Sequence, residues 1–525
     1  MPLIKKKSGN FFVQLSFLSL CFLVILLSLF LGVIFSNGLK TFWVSDLIVF
    51  EMKDGEKILG EKIQTVEKHT GEIKYQIKVA NRDIYGEDFR WIYEDNIKNK
   101  HKPKDAMVLE RKHNGNLFAF LNKSATDLSE KDWQSFEAKN QIIKVGLPIY
   151  NKLRAEVSEV SEEISLLKKK IKKLKYYKAD QSKFDPIQKD IAKENEKFDV
   201  MEQRMNDKYR ELESVSTLMW DLKNNQIKVS HFDIVRSYRP NRLTFYGKSA
   251  LYCSKVIELL FSEPRESNTE GGLFPAIFGT VLLVFMMSIA SFPLGVIAGI
   301  YLKEYAKDGV LVKMTRIAVN NLAGIPSIVF GIFGLGFFIY GIGGSIDKMF
   351  FPEMLPTPTF GTGGMLWASL TLGVLTVPIV IVSTEEALGV IPSGLRQAAT
   401  ALGANKFQVL TKILLPMASP GIMTGFILAM SRAAGEVAPL MITGVVKLAP
   451  ELLVSTTFPY MHIERKFMHL GFHIYDVGFQ SPNVEAALPM VYVATLLLLL
   501  IIISLCSFAI YLRSSMRKKF SGSHL

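Results

Sequence analysis

The chain has 525 residues, 49% of them hydrophobic, and its 62 Lys and Arg outnumber its 49 Asp and Glu, leaving a formal net charge of +13. This composition excludes an intrinsically disordered chain. The three cysteines, Cys21, Cys253 and Cys506, are too scattered for a structural zinc site or a disulfide framework.

The first element is apolar from Phe11 to Phe35, interrupted only by Gln14, and follows Lys5, Lys6 and Lys7. A bilayer core about 30 Å thick takes about 20 such residues at about 1.5 Å each. No small-residue cleavage site follows Phe35, so residues 1–38 read as a cytoplasmic tail and an uncleaved first span.

Residues 39–268 are charged throughout and hold no spanning segment, which makes them a separate α+β insert. Its β-rich part is expected over 45–125. Ile73, Tyr75, Ile77 and Val79 alternate with polar neighbours, as do Phe89, Trp91 and Tyr93. Asp54-Gly55 and Asn114-Gly115 supply the positive φ that tight hairpin turns need.

Over 147–222 the period changes. Ile149, Leu153, Val157, Val160, Ile164, Leu167, Ile171 and Leu174 are spaced by alternating threes and fours, and Ile187, Ile191, Phe198, Met201, Met205, Leu212, Val215 and Met219 continue in similar spacing. An antiparallel coiled helical hairpin follows, with Lys168 to Lys170, Lys172, Lys173 and Lys175 on its solvated flanks. The insert's basic residues are interleaved with acids, so nucleic acid is not a partner. The stretch Tyr246 to Phe261 mixes apolar residues with Lys and Glu and reads as lying along membrane lipid before the second span.

Residues 269–525 hold five further spans, Leu273 to Tyr301, Ile317 to Tyr340, Met365 to Val382, Met417 to Val446 and Leu488 to Leu512. The chain is thus a mostly α multi-pass membrane protein with about six transmembrane helices. Short-loop cations fall on one side: Lys5 to Lys7; Lys303, Lys307, Lys313 and Arg316; Arg396, Lys406 and Lys412; and Arg513, Arg517, Lys518 and Lys519. The positive-inside rule makes both termini cytoplasmic and the insert extracytoplasmic.

Ionisable residues within a span face protein or a watery path. Arg432 and Glu436, four apart and on one helical face, are either a packing ion pair or an anion-handling site. Asn321 and Ser327 accompany a glycine-rich segment and are weaker pathway candidates. No GxxxxGK[ST], HExxH or GxSxG motif occurs, so no cofactor, metal or enzymatic activity is expected, and any nucleotide is hydrolysed by another chain. His462, His469 and His473 read as loop residues in solvent.

Within the loop 384–416, Arg396-Gln397-Ala398-Ala399-Thr400-Ala401-Leu402-Gly403 reads as a short helix of small residues, with Gly403 as its C-cap, exposed on the cytoplasmic face. The spacing from Ala398 through Gly403 to Ile413-Leu414-Leu415-Pro416 resembles the EAA loop of permeases from ATP-driven, binding-protein-dependent (ABC) importers, with Gln397 in place of the usual Glu. In that family the loop docks into the ATPase. Pro275 to Thr280, Asn321 to Gly331, Thr384 to Leu388 and Ser431 to Pro439 further resemble the phosphate-import permeases of that family. Ala80 to Gly86 and Asp233 to Arg236 resemble the N-terminal extension of one branch.

The resemblance implies a type I importer permease in a bacterial inner membrane. It also implies inorganic phosphate as the solute, an ATPase subunit dimer, a second permease subunit forming a heterodimer and an external phosphate-binding protein. From the residues alone, sulfate or molybdate fits an Arg-lined path as well as phosphate does. A membrane scaffold or receptor is the reading from another class, and the ATPase-docking loop argues against it.

Overall fold

The computed structural model describes residues 3–521 apart from 68–71, 123–129, 179, 266–267, 456–459 and 482–483, and the side chains of Lys5 to Lys7, Lys518 and Lys519 lie outside the described residues. The chain divides into a membrane unit, Met1–Phe42, Leu273–Ile342 and Thr362–Leu525, and an insert unit, Trp43–Gly272 with Gly343–Gly361. The membrane unit begins with helix α1 (Leu3–Lys40).

In the insert, β1 (Leu47–Met52) and β2 (Lys57–Glu67) form a hairpin whose turn contains Gly55 at φ +90°. Next come β3 (Ile73–Lys78), the short α2 (Arg82–Tyr85), β4 (Phe89–Tyr93) and β5 (Ile97–His101), completing an antiparallel sheet in the order β4-β3-β2-β1-β5. The expected alternation holds in β3, where Tyr75 and Ile77 pack with Phe50 and Ile58, but in β4 the phase is reversed: Ile92 is buried in this core and Trp91 is turned outward. β6 (Met107–Arg111) and β7 (Asn116–Ala119) flank a turn in which Asn114 and Gly115 both have positive φ, 66° and 65°.

α3 (Glu130–Tyr176) and α4 (Phe184–Ser214) pack together as the helical hairpin. Val160 and Ile164 are buried and Leu153, Val157, Leu167, Ile171 and Leu174 half-buried along the seam, with the lysine run exposed, while Ile149 is turned outward. The hairpin starts earlier and ends sooner than the periodicity predicts. Val215 and Met219 do not continue α4: Val215 is its C-cap and Met219 stands in β8 (Ser216–Trp220), which pairs with β9 (Gln226–Ser230). Fully buried Met219 joins Phe136, Leu109 and Leu117 there, so burial in the sheet layer overrides a helical spacing that fits either structure. β10 (Ile234–Tyr238) pairs with β6, and α5 (Phe245–Phe261) and the small ribbon β11 (Pro264–Arg265) with β12 (Glu270–Gly271) follow.

The membrane unit resumes with α6 (Phe274–Ile300), α7 (Val310–Leu322) and α8 (Ser327–Phe333), which continues as π-helical turns over Gly334–Gly343. After α9 (Gly344–Phe350), which groups with the insert, come α10 (Met365–Gly389), α11 (Ser393–Ala401), α12 (Lys406–Val409) and α13 (Leu415–Gly435). α14 (Ala438–Thr443), α15 (Leu470–Tyr475) and α16 (Val484–Ser521) complete the chain. Among the described residues six helical stretches are long and apolar enough to cross a membrane, as expected.

The fourth span runs on to Gly389, past Val382 and into the predicted loop, and two others shift. The third begins at Ser327, because Ile317 belongs to the separate α7 and Pro326 marks the break before α8. The fifth runs from Lys406 to Gly435, not from Met417 to Val446. α10 is the central helix, with α6 and α13 packed against it. A Cβ at Gly295 or Gly299 would lie 2.6–2.7 Å from Val380 or Thr384, and one at Gly421 or Gly425 2.3–2.6 Å from Ala387 or Ser383, so glycine on both partners admits the close approach. The histidines expected in solvent are not there: His462, His469 and His473 are all buried.

Between α3 and the β8–β9 hairpin, His231 is buried, with Nε2 2.7 Å from Thr217 Oγ1 and Nδ1 2.7 Å from Asn140 Oδ1. Burial, reinforced by nearby Lys139, pushes its pKa from 6.5 to about 4. The unfolded chain therefore takes up this proton more readily, so His231 contributes stability that is complete above 6.5 and lost as pH falls towards 4. Thermal unfolding of a 39–268 fragment, followed by circular dichroism, should show a fall in melting temperature across that window that His231→Gln flattens.

Candidate transport pathway and coupling loop

α13 ends at Gly435, and Glu436 has extended backbone (φ −80°, ψ 131°) before α14 begins. Arg432 and Glu436 therefore stand at a break between two helices rather than inside one continuous span. The pairing survives: Arg432 Nε donates to Glu436 Oε1 at 3.3 Å, and both side chains are partly buried. Among the described residues neither Nη group of Arg432 has a partner. Such a guanidinium, in the last turn of a helix where the carbonyl ends favour a cation, keeps two NH2 groups for another acceptor.

The break is packed from two sides. A Cβ on Gly331 of α8 would stand 2.8 Å from the Pro439 Cα, and one on Gly471 of α15 2.6 Å from Val437 Cγ2. The glycines of this region therefore serve close packing at these two points. Asn321, at the end of α7, is exposed, and Ser327 opens α8 half-buried; neither makes a side-chain hydrogen bond among the described residues, nor contacts Arg432 by one.

The loop after α10 is built as a compact pair of short helices. In α11, Arg396 and Ala399 turn inward, while Gln397 and Ala398 are exposed. Leu402, the C-cap, is 89% exposed, and Gly403 has φ +85°, the left-handed conformation that ends a helix and favours glycine. Asn405 and Gln408 form a reciprocal capping box at α12. A π turn over Leu410–Leu414 then leads into α13, whose first turn holds half-buried Pro416, a residue with no N–H to donate.

Arg396 is committed to its own chain. Its Nη2 donates to Glu304 Oε1 (2.8 Å) and to the Leu388 carbonyl (2.8 Å), and its Nη1 to the Ile391 carbonyl (2.7 Å). Ala399 packs with Leu388, Ile391, Val409 and Leu414. A parallel link joins Arg316 Nε of α7 to Glu385 of α10 at 3.1 Å, with Arg316 Nη2 donating to the Leu302 carbonyl. Sequence reading missed Glu304 as the loop's anchor, since it is separated from Arg396 by 92 residues. Its signal was an acid within a loop otherwise rich in lysine.

Comparison with known proteins places residues 291–518 in the family described as binding-protein-dependent transport system inner membrane component. The phosphate transport system permease protein PstA of Yersinia pestis is 39% identical over 35% of this chain and 57% of that protein. PstA of Pasteurella multocida is 34% identical over 36% of this chain and 60% of that protein. The chain thus spans somewhat under two thirds of these two relatives. The probable ABC transporter permease protein YqgI of Bacillus subtilis is 30% identical over 41% of this chain and 70% of that protein. With six apolar helices, this chain is a multi-pass membrane protein of the binding-protein-dependent ABC transport permease family.

Proposed function

We propose that this chain is the permease subunit of an ATP-driven importer that passes inorganic phosphate to the cytoplasm. The observation that carries the reading is Arg432, a guanidinium at a helix break whose Nη groups have no partner among the described residues. A planar fork of donors matches the oxygens of phosphate, and hydrogen bonds to a charged acceptor are stronger than neutral ones. Glu436 engages only Nε, so it can hold the arginine when the path is empty without filling its anion-facing side. The kinship to phosphate permeases supports phosphate over sulfate or molybdate. Asn321 and Ser327 are secondary pathway residues.

In this reading both termini are cytoplasmic, and the exposed face of α11 and its cap, Gln397, Ala398, Leu402 and Gly403, docks on an ATPase subunit that hydrolyses the nucleotide. Arg396, Ala399 and Pro416 support that face from behind. The rest of the complex is a second ATPase copy, a second permease subunit and an external phosphate-binding protein.

Radiolabelled phosphate uptake should be measured in cells lacking their own high-affinity system and supplied with the complete transporter. Arg432→Gln should lower uptake about tenfold or more, matching the loss of about 1.5–3 kcal/mol for a hydrogen bond to a charged group, with assembly intact. Normal uptake would remove Arg432 from the mechanism, and competition by sulfate would reassign the solute. Gly403→Asp, which puts a side chain on a left-handed backbone and a charge on the docking face, should reduce ATPase co-purification or uncouple hydrolysis from uptake. Unchanged ratios and coupling would refute the docking role.

A further inference from the structure

Helix α5 wears its polarity inside out. Its ionic residues face the body of the insert: Lys255 Nζ lies 2.7 Å from buried Glu110, Glu258 3.0 Å from Arg236, and Lys248 pairs with Asp46. Arg236 also bridges to Glu110 at 2.7 Å, and Arg265 closes the network on Glu258. The opposite stripe, at helical spacing, is Tyr246, Ala250, Cys253, Ile257 and Phe261, all exposed and uncharged. Tyr246 is 85%, Phe261 72% and Ile257 60% exposed. An ordinary surface helix places its charges in water and its apolar stripe on the core. Here the charges are sequestered in ion pairs, which fixes the apolar stripe outward.

Trp43 adjoins the flank of α5, its ring 5.7 Å from that of exposed Phe245 and 6.3 Å from that of half-buried Tyr252, and Phe245 in turn lies 6.2 Å from Tyr246 of the stripe. Trp43 follows the last residue of α1, Lys40, by three positions, a reach of at most about 10 Å. At the other end α5 finishes at Phe261, and α6 begins at Phe274.

We infer that the outward face of α5, with Trp43 beside it, is a lipid-docking surface that seats the insert in the headgroup region of the extracytoplasmic leaflet. The inference rests on α1 and α6 crossing the bilayer, and it is independent of which solute is carried. Two arguments select lipid over a protein partner. Trp43 stands three positions after α1, and residues 262–273 connect Phe261 to α6, so the surface lies in the chain between two spanning helices. The residue types, Trp, Tyr and Phe with no charge in the stripe, are those enriched where a membrane meets water.

Cys253 is a native probe in the middle of the stripe. The full chain with Cys21→Ser and Cys506→Ser would be spin-labelled there and reconstituted in vesicles of phosphatidylethanolamine and phosphatidylglycerol. Its relaxation by oxygen, which concentrates in lipid, would be compared with that by a water-soluble nickel chelate. A label at Lys152→Cys, on the exposed side of α3, in a variant with all three native cysteines changed to Ser, serves as the aqueous reference. The expected result is an oxygen-to-nickel ratio at position 253 several-fold above the reference, repeated by a label at Tyr246→Cys. A ratio equal to the reference would place the stripe in water and overturn the inference. Exclusion of both reagents would overturn it in favour of a protein covering the face.

Discussion

The membrane unit depends on how closely α6 and α13 can approach α10. In lipid no hydrophobic force draws apolar helices together, so contact must come from backbone proximity and dispersion. Glycines at 295 and 299 on one side and 421 and 425 on the other allow that approach, and each stands where a methyl would collide with α10. The consequence reaches both ends of the bundle. α10 runs from buried Met365 to Leu388, whose carbonyl receives Arg396, and α13 runs from the loop that holds α11 and α12 to the break at Glu436. One trio of tightly packed helices therefore joins the loop that holds α11 and α12 to the break beside Arg432.

The arginines are used in two ways. Arg396, Arg316 and Arg236 spread their donors over carboxylates and carbonyls and act as fasteners between elements distant in sequence. Arg432 makes one side-chain bond through Nε and leaves both Nη groups without a partner among the described residues. Those two groups are open to water or to an anion, whereas the other three arginines have committed theirs. That difference, rather than charge alone, separates the pathway candidate from the structural arginines.

The insert uses ionic chemistry to orient a helix. Glu110 is buried on β6 and is held by Lys255 of α5 and Arg236 of β10, so one carboxylate links the central strand to the helix outside it. Breaking one partner would strand a buried charge, which makes the arrangement specific even if the net attraction is modest.

The hydropathy of six spans, the two hairpin turns at Gly55 and Asn114-Gly115, the strands from Ile73 to Tyr93 and the small-residue loop ending in Gly403 were all legible in the sequence, because each depends on residues close together in the chain. The pairing of Arg432 with Glu436 was legible for the same reason, being four residues apart. Tertiary structure decided the rest. It ended α13 at Gly435 and put Met219 in a strand, since apolar periodicity does not say whether a neighbouring helix or sheet will receive the side chain. It paired Arg396 with Glu304 across 92 positions, and it turned the charges of α5 inward, because an ion pair is fixed by where two distant segments meet and leaves no local pattern.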